Sequence, residues 1–414
     1  MRLLLALLLL LATEATEHTE KNQLCALGVL RGQSVKTGLE VLVRDGFKPL
    51  QGKRVGIVTN HSAIDPARTS IVDLLAAGKG FSVTALFSPE HGIRGTADAQ
   101  VASGKDEKTG LPIHSLYGKT RKPTPEMLKD LDLLVFDIQD IGARYYTYIS
   151  TLALVLEAAK ENDKAVLVLD RPNAIGGDAV EGPILEEGLR GSFIGYFGLP
   201  TRHGLTLGEL ARLYNSEFKI GCRLDVVKME GWKRSMYFDD TGLPWINPSP
   251  NMRSLAAAVA YPGLGALEGT NLSVGRGTEK PFVWYGAPWL DGARVCADLE
   301  SRKLPGVRWK PVKFTPAKQP RMPLYPHTDK ECGGFEVEIA DRAAFRPVAA
   351  SLHVLDALHR LHPKDFSFGK SCGMIGLRSI EADLQAGKSP AEIERAWQPE
   401  LDAFKAARAK VLLY

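Results

Sequence analysis

Through the first half of the chain, stretches that are apolar at nearly every position alternate with stretches that are apolar only every third or fourth residue. The first kind comprises residues 54–59 (Arg-Val-Gly-Ile-Val-Thr), 83–87, 132–137 and 165–170. Short, almost continuous apolar runs of this sort are the pattern of strands covered on both faces of a parallel sheet. The second kind predicts helices at 68–78, 124–130 and 147–162. A further amphipathic helix is predicted at 205–218, opened by Thr206 with Glu209 three residues on, which is capping-box spacing, and 224–229 is the next strand. Strand and helix in alternation predict an α/β fold built on a doubly wound parallel sheet with helices on both faces.

The pattern changes after the Pro- and Asn-rich stretch 245–252, so a boundary is expected between 250 and 260, with domains at 26–255 and 256–414. The second part carries a Gly-rich segment at 263–288, strict alternation at 334–340, a helix at about 344–361 and closing helices at 379–386 and 390–410. Ser389 before Pro390 is a helix start, with Ser as cap and Pro at the first helical position. This mixture predicts a smaller α+β domain.

At the N-terminus, Met1-Arg2 precedes an apolar run from Leu3 to Ala12 and then the polar Thr13-Glu14. A basic start, a short apolar stretch and small residues after it predict a secretory signal peptide at 1–15, too short for a permanent span. An exported protein, periplasmic or extracellular, is therefore expected, with no stable membrane insertion once the signal is removed. Leu24-Cys25 lacks the small residues of a lipobox, so no lipid anchor is expected. Export permits disulfides, and one pair among Cys296, Cys332 and Cys372 is open, although five cysteines leave at least one thiol free. The net charge of +4 is spread without basic blocks, so no nucleic-acid partner is indicated.

Ligands of open parallel sheets bind beyond the carboxyl ends of the strands. Those ends here are unusually polar. The first carries Asn60-His61, the second Glu90, His91 and Arg94, the third Asp137, Gln139, Asp140 and Arg144, and the fourth Asp170, Arg171 and Asn173. Glu90, just past an apolar strand, is suited to proton transfer, because a roof over it would favour the neutral acid. Asp137 and Asp140 offer a second carboxylate, but alternation along an extended segment puts them on opposite faces. Arg144-Tyr145-Tyr146-Thr147-Tyr148 opens a helix with aromatic hydroxyls, and the segment 268–278 brings Glu268, Asn271 and Arg276 with backbone amides, suited to holding a carboxylate or an amide. His61, His91, His203 and Asp137 come from separate segments without close His spacing, so no metal is expected. No Gly-x-Ser-x-Gly elbow and no phosphate-loop spacing occurs.

Val58-Thr59-Asn60-His61, Ser88-Pro89-Glu90-His91-Gly92-Ile93-Arg94-Gly95, Ser115-Leu116-Tyr117-Gly118, the segment 136–144, Leu169-Asp170-Arg171-Pro172-Asn173, Arg202-His203-Gly204, Pro248-Ser249-Pro250-Asn251-Met252 and Glu268-Gly269-Thr270-Asn271 stand in this order. Together they resemble the bacterial exo-β-N-acetylmuramidase family, from about Gly38 to Tyr414. The resemblance implies a Rossmann-like first domain, a smaller second domain completing a cleft, and an exo-acting glycoside hydrolase that releases N-acetylmuramic acid from non-reducing ends of peptidoglycan fragments without a cofactor. It implies Glu90 as catalytic acid with a tyrosine as partner, Tyr146 before Tyr148. Tyr145 departs from the family pattern, where Phe is common, and 366–378 is less typical.

N-acetylmuramic acid carries a lactyl carboxylate, for which Arg94, Arg144, Arg171 and Arg276 are candidate cations. The sugar's own acetamido group is a candidate nucleophile, which would suit a site with one convincing carboxylic acid. Two other readings stay open, a non-catalytic exported muropeptide-binding protein and a metal-dependent hydrolase.

Overall fold

The first domain is organised by a seven-stranded sheet in the order β3-β4-β2-β1-β5-β6-β9. Its strands are β1 (Arg54–Thr59), β2 (Ser82–Ser88), β3 (Gly104–Lys105), β4 (Pro112–Ser115), β5 (Leu133–Asp137), β6 (Ala165–Leu169) and β9 (Arg223–Val227). All pair in parallel except the edge strand β3, which is antiparallel to β4. In this computed structural model residues 34–90, 92–94, 103–118, 120–319 and 324–414 are described. The signal-peptide reading of 1–15, Cys25 and His91 therefore lie outside the described residues.

Alternate residues of one strand enter two different cores, as continuous apolar runs require. Ile57 and Val135 pack with Leu39 and Ile71 on one face of the sheet. Val58 and Phe136 pack with Ile149, Leu152 and Leu210 on the other. The helices are thus Gly38–Arg44 and Ile71–Ala76 on the first face, and Tyr148–Glu161 and Leu207–Ser216 on the second. Thr206 and Glu209 form the capping box expected of them. This is the Rossmann-like, doubly wound arrangement. Chain order runs outward from β1 to β4 and returns to β5 beside β1, so direction reverses between β1 and β5.

Between β6 and β9 the chain makes an excursion that includes the hairpin β7 (Glu181–Ile184) and β8 (Pro200–Arg202), which no hydrophobic pattern announced. The smaller domain holds an antiparallel sheet, β10 (Trp284–Ala287), β12 (Cys332–Ile339) and β11 (Val307–Phe314), covered by the helix Gly292–Ser301, on which the helix Pro347–Leu361 packs. Its core is continuous with the second face of the large sheet, since Tyr285, Phe335 and Leu355 belong to the same cluster as Phe136.

Two expectations are corrected. The single closing helix at 390–410 is two helices, Pro390–Ala396 and Gln398–Ala409, divided at Trp397. Pro399 lacks the amide that would carry one helix through the junction. No disulfide joins Cys296, Cys332 and Cys372, because each is a free thiol buried in a different element. Burial pushes the Cys296 thiol up to about 12. The chain end returns to the first domain, where the Tyr414 hydroxyl donates to Asp170 Oδ2 at 2.9 Å and accepts from the Met229 amide.

Candidate active site

At the point where strand order reverses, the residues beyond the strands satisfy one another. Asp137 ends β5 with no exposed side-chain surface, and Arg171 clamps it, Nε to Oδ1 at 2.5 Å and Nη2 to Oδ2 at 3.1 Å. Asn60 Oδ1 accepts from the amide and hydroxyl of Ser62, whose Oγ accepts the Gln139 amide. Gln139 donates to the carbonyls of Asp140 and Pro172. His61 Nε2 lies 2.8 Å from the Asn247 carbonyl. Asn173 holds the Leu205 carbonyl and the Ile175 amide, packed so closely on Gly142, whose φ is +88°, that a Cβ there would fall 2.4 Å from its Oδ1. His203 Nδ1 accepts the Leu205 amide, and burial beside Arg408, Arg144 and Arg202 drives its imidazole down to about 3. The crevice left here, between Ser62, Gln139, Arg171 and residues 243–246, measures only about 20 Å³.

These contacts correct part of the sequence reading. Asn60, Asp137, Gln139, Arg171, Asn173 and His203 form a buried polar layer beneath the site, with the partly buried His61 at its edge, and all seven are absent from the walls of the larger cavity described next. Arg94 turns instead to Asp106 and Asp73, at 2.9 and 3.2 Å. Arg144 is buried with Nη2 donating to the carbonyls of Met374 and Ile375, and burial lowers its guanidinium to about 10. Asn271 fastens the second domain internally, donating to the Asp365 carbonyl and accepting the Ser367 amide.

The larger cavity, about 610 Å³, opens to the β2 and β4 side of the reversal point. The first domain contributes Glu90, Tyr117, Arg121, Tyr145, Tyr146, Thr147, Tyr148 and Phe193, and the second contributes Tyr261, Glu268, Arg276, Phe282 and Tyr325. The register Ser88↔Ser115 puts Glu90 and Tyr117 two residues beyond adjacent strand ends, so they leave the sheet side by side. Glu90 is half-buried, and Thr147 Oγ1 donates to its Oε2 at 2.8 Å. Thr147 precedes the helix Tyr148–Glu161, yet its hydroxyl makes no capping bond there.

Tyrosines form the rear of the cavity. Tyr146 stands edge-on to Tyr148 and Tyr261, with ring centres 5.2 and 5.8 Å away. Burial holds the Tyr146 hydroxyl well above the ordinary tyrosine range, so it stays protonated, with Ser249 beside it. The Tyr148 hydroxyl donates to the Pro248 carbonyl at 2.6 Å. Tyr145, the departure from the family pattern, donates to the Tyr261 carbonyl at 2.5 Å, which gives the extra hydroxyl a buried partner. Asp140 lies behind these rings with Oδ2 on the Gly142 amide, and burial pushes its carboxyl up to about 7. Asn251 Nδ2 reaches the Tyr325 hydroxyl at 3.4 Å.

On the opposite side Arg276 and Glu268 pair with each other at 2.7 Å, and the guanidinium lies 5.0 Å from the Phe282 ring centre. Arg121 lies 4.5 Å over the Phe193 ring. Thr147, Tyr117, Arg121, Phe193 and Tyr261 escaped the sequence reading. Only Thr147 and Tyr117 sat within motifs already singled out, whereas Arg121 and Phe193 lie in stretches without periodicity. No group of three His, Cys, Asp or Glu side chains suited to a metal occurs among the described residues.

Two family models match the chain, described as exo-beta-N-acetylmuramidase NamZ, N-terminal, over residues 55–256, and exo-beta-N-acetylmuramidase NamZ, C-terminal, over 259–414. The peptidoglycan beta-N-acetylmuramidase NamZ of Bacillus subtilis (strain 168) is 46% identical over 385 residues, covering 92% of this chain and 91% of that protein. A crystal structure of a DUF1343 family protein from Bacteroides fragilis NCTC 9343 superposes with a TM-score of 0.85 at 38% identity, covering 92% of this chain and 99% of the other. A second protein of that family and organism gives 0.76 at 32% identity with the same coverage.

Proposed function

The chain belongs to the exo-β-N-acetylmuramidase NamZ family, and from that premise we propose that its interdomain cavity removes terminal N-acetylmuramic acid from peptidoglycan fragments as a glycoside hydrolase. The observation that carries the assignment of roles is Glu90 on the cavity wall with one oxygen fixed by Thr147. Fixing Oε2 aims the carboxyl group and leaves Oε1 to carry the proton. That proton passes to the glycosidic oxygen as its bond to the anomeric carbon breaks, so the departing sugar leaves as a neutral alcohol. The developing positive charge at the anomeric carbon is met by the acetamido oxygen of the same sugar or by water. Tyr146, kept protonated by burial, donates a hydrogen bond and does not attack. Tyr148 braces it from the side, its own hydroxyl engaged by Pro248.

The apolar N-terminal run from Leu3 to Ala12 supports an exported enzyme, which is where a cell-wall substrate lies. No helix among the described residues is long and apolar enough to cross a membrane.

The test is release of chromophore from an aryl β-N-acetylmuramide by the purified protein. Glu90→Gln is expected to lower kcat by about 10²-fold or more while melting with the wild type. A silent wild type sinks the assignment, as does undiminished turnover by the variant. Saturable binding without turnover would mark a receptor.

A further inference from the structure

We propose that Arg121, held over the ring of Phe193, reads the lactyl carboxylate of N-acetylmuramic acid and so selects this sugar. The inference rests on the substrate class proposed above. N-acetylmuramic acid differs from N-acetylglucosamine only in its lactyl ether, so a site that tells them apart needs a cation where that carboxylate lies.

The structure narrows the cations sharply. Arg94, Arg144 and Arg171 are absent from the cavity walls and are each engaged by carboxylates or carbonyls. Among the described residues two arginines line the cavity, Arg276 and Arg121. Arg276 is matched by Glu268 through Nε to Oε1 at 2.7 Å and Nη2 to Oε2 at 3.1 Å. That pair is neutral as a unit, and an incoming carboxylate would have to displace Glu268 or sit beside it. Arg121 has no carboxylate partner among the described residues and is exposed on the cavity rim. It is nevertheless not a loose surface cation. Its guanidinium lies 4.5 Å from the Phe193 ring centre, and Phe193 in turn meets the Tyr117 ring at 6.1 Å. Contact with the ring face holds the guanidinium without using its N–H donors, which stay able to take a carboxylate through two parallel hydrogen bonds. Tyr117 leaves the sheet beside Glu90, so the cation and the proton donor stand on one wall. Phe193 comes from the excursion between β6 and β9, which thus supplies a binding platform.

The experiment compares an aryl β-N-acetylmuramide with the same compound carrying its lactyl group as a methylamide, in wild type and Arg121→Ala. Wild type is expected to prefer the acid in kcat/KM by about 10- to 100-fold, the range of a charge-assisted hydrogen-bonded pair. In Arg121→Ala the acid-over-amide ratio is expected to collapse towards one, mainly through KM, at unchanged Tm. Arg121→Lys keeps the charge without the plane and should recover only part of the preference. Calorimetric titration with free N-acetylmuramic acid and its methylamide reads the same ratio without turnover. Failure of hydrolysis would therefore overturn the function above and leave the role of Arg121 independently measurable. A wild type without acid preference, or a variant that keeps it or loses acid and amide equally, overturns the proposal.

Discussion

Replacing Thr147 by Val should cripple turnover without touching the fold. The two side chains are nearly the same shape, so the change removes one hydroxyl and leaves the cavity volume alone. That hydroxyl donates to Glu90 Oε2 at 2.8 Å. As Glu90 gives up its proton in the transition state the bond is one to a developing carboxylate, which contributes about 1.5–3 kcal/mol net, and the half-buried position of Glu90 argues for the lower end. At 1.4 kcal/mol per factor of ten, kcat should fall by about 10- to 20-fold. Stability should change by less than about 0.5 kcal/mol, because the Thr147 hydroxyl caps nothing in the helix Tyr148–Glu161. The assay is steady-state hydrolysis of an aryl β-N-acetylmuramide beside a thermal melt, with Thr147→Ser as the control that restores the donor. In a Glu90→Gln background the Val substitution should add nothing further, since both changes act on one contact. An unchanged kcat in Thr147→Val refutes the assigned geometry, and so does an equal loss in Thr147→Ser.

Arg171→Met tests whether the layer beneath the site is structural. The pair with Asp137 is almost wholly sealed, at 6% and 0% side-chain exposure, so a lone carboxylate left there should cost about 3–5 kcal/mol in urea unfolding. Asp137→Asn added to Arg171→Met should recover most of that, and turnover per folded molecule should hold. Loss of activity at full stability would return Arg171 to the substrate. His203 contributes to acid sensitivity. Its folded imidazole is driven down to about 3 against an ordinary value near 6.5, so between these pH values only the unfolded chain takes the proton. Stability falls as pH drops through that window, by up to about 1.4 kcal/mol per unit. Asp140, pushed up to about 7, works in the opposite sense, losing stability as pH rises from about 4. His203→Asn keeps an acceptor for the Leu205 amide, and the Tm advantage of the wild type over this variant should shrink as pH drops from about 6.5, whereas parallel wild-type and variant profiles would exclude the imidazole.

The parallel sheet was legible because a strand covered on both faces has to be apolar at consecutive positions, and β1, β2, β5 and β6 all are. Helix starts were equally legible where a side chain caps an amide, as Thr206 and Ser389 do. The edge strand β3, its neighbour β4 and the β7 and β8 hairpin are short and carry glycine, proline or polar residues. Their backbone pairing leaves almost no trace in hydropathy. The break at Trp397 was missed for a related reason: helical periodicity continues across it, and only Pro399 interrupts the hydrogen bonds.

The site was legible as a set of residue types and not as an arrangement. Polar residues beyond buried strands must find partners, and the sequence cannot say whether a partner is substrate or protein. Arg171 and Asp137 chose each other, as did Arg94 and Asp106. A buried charge left unpaired is costly, so the most deeply placed candidates were the ones the fold itself had to satisfy. The charged groups that reach the cavity are either half-exposed, as Glu90 is, or held by an aromatic face, as Arg276 and Arg121, which was no sequence candidate, are. An aromatic face orients a cation without consuming its hydrogen-bond donors. For a glycosidase of an acidic sugar this separates the two demands on the site. Charges that build the floor are matched within the protein, while Glu90 and Arg121 on the adjoining wall keep the capacity to bond that the substrate requires.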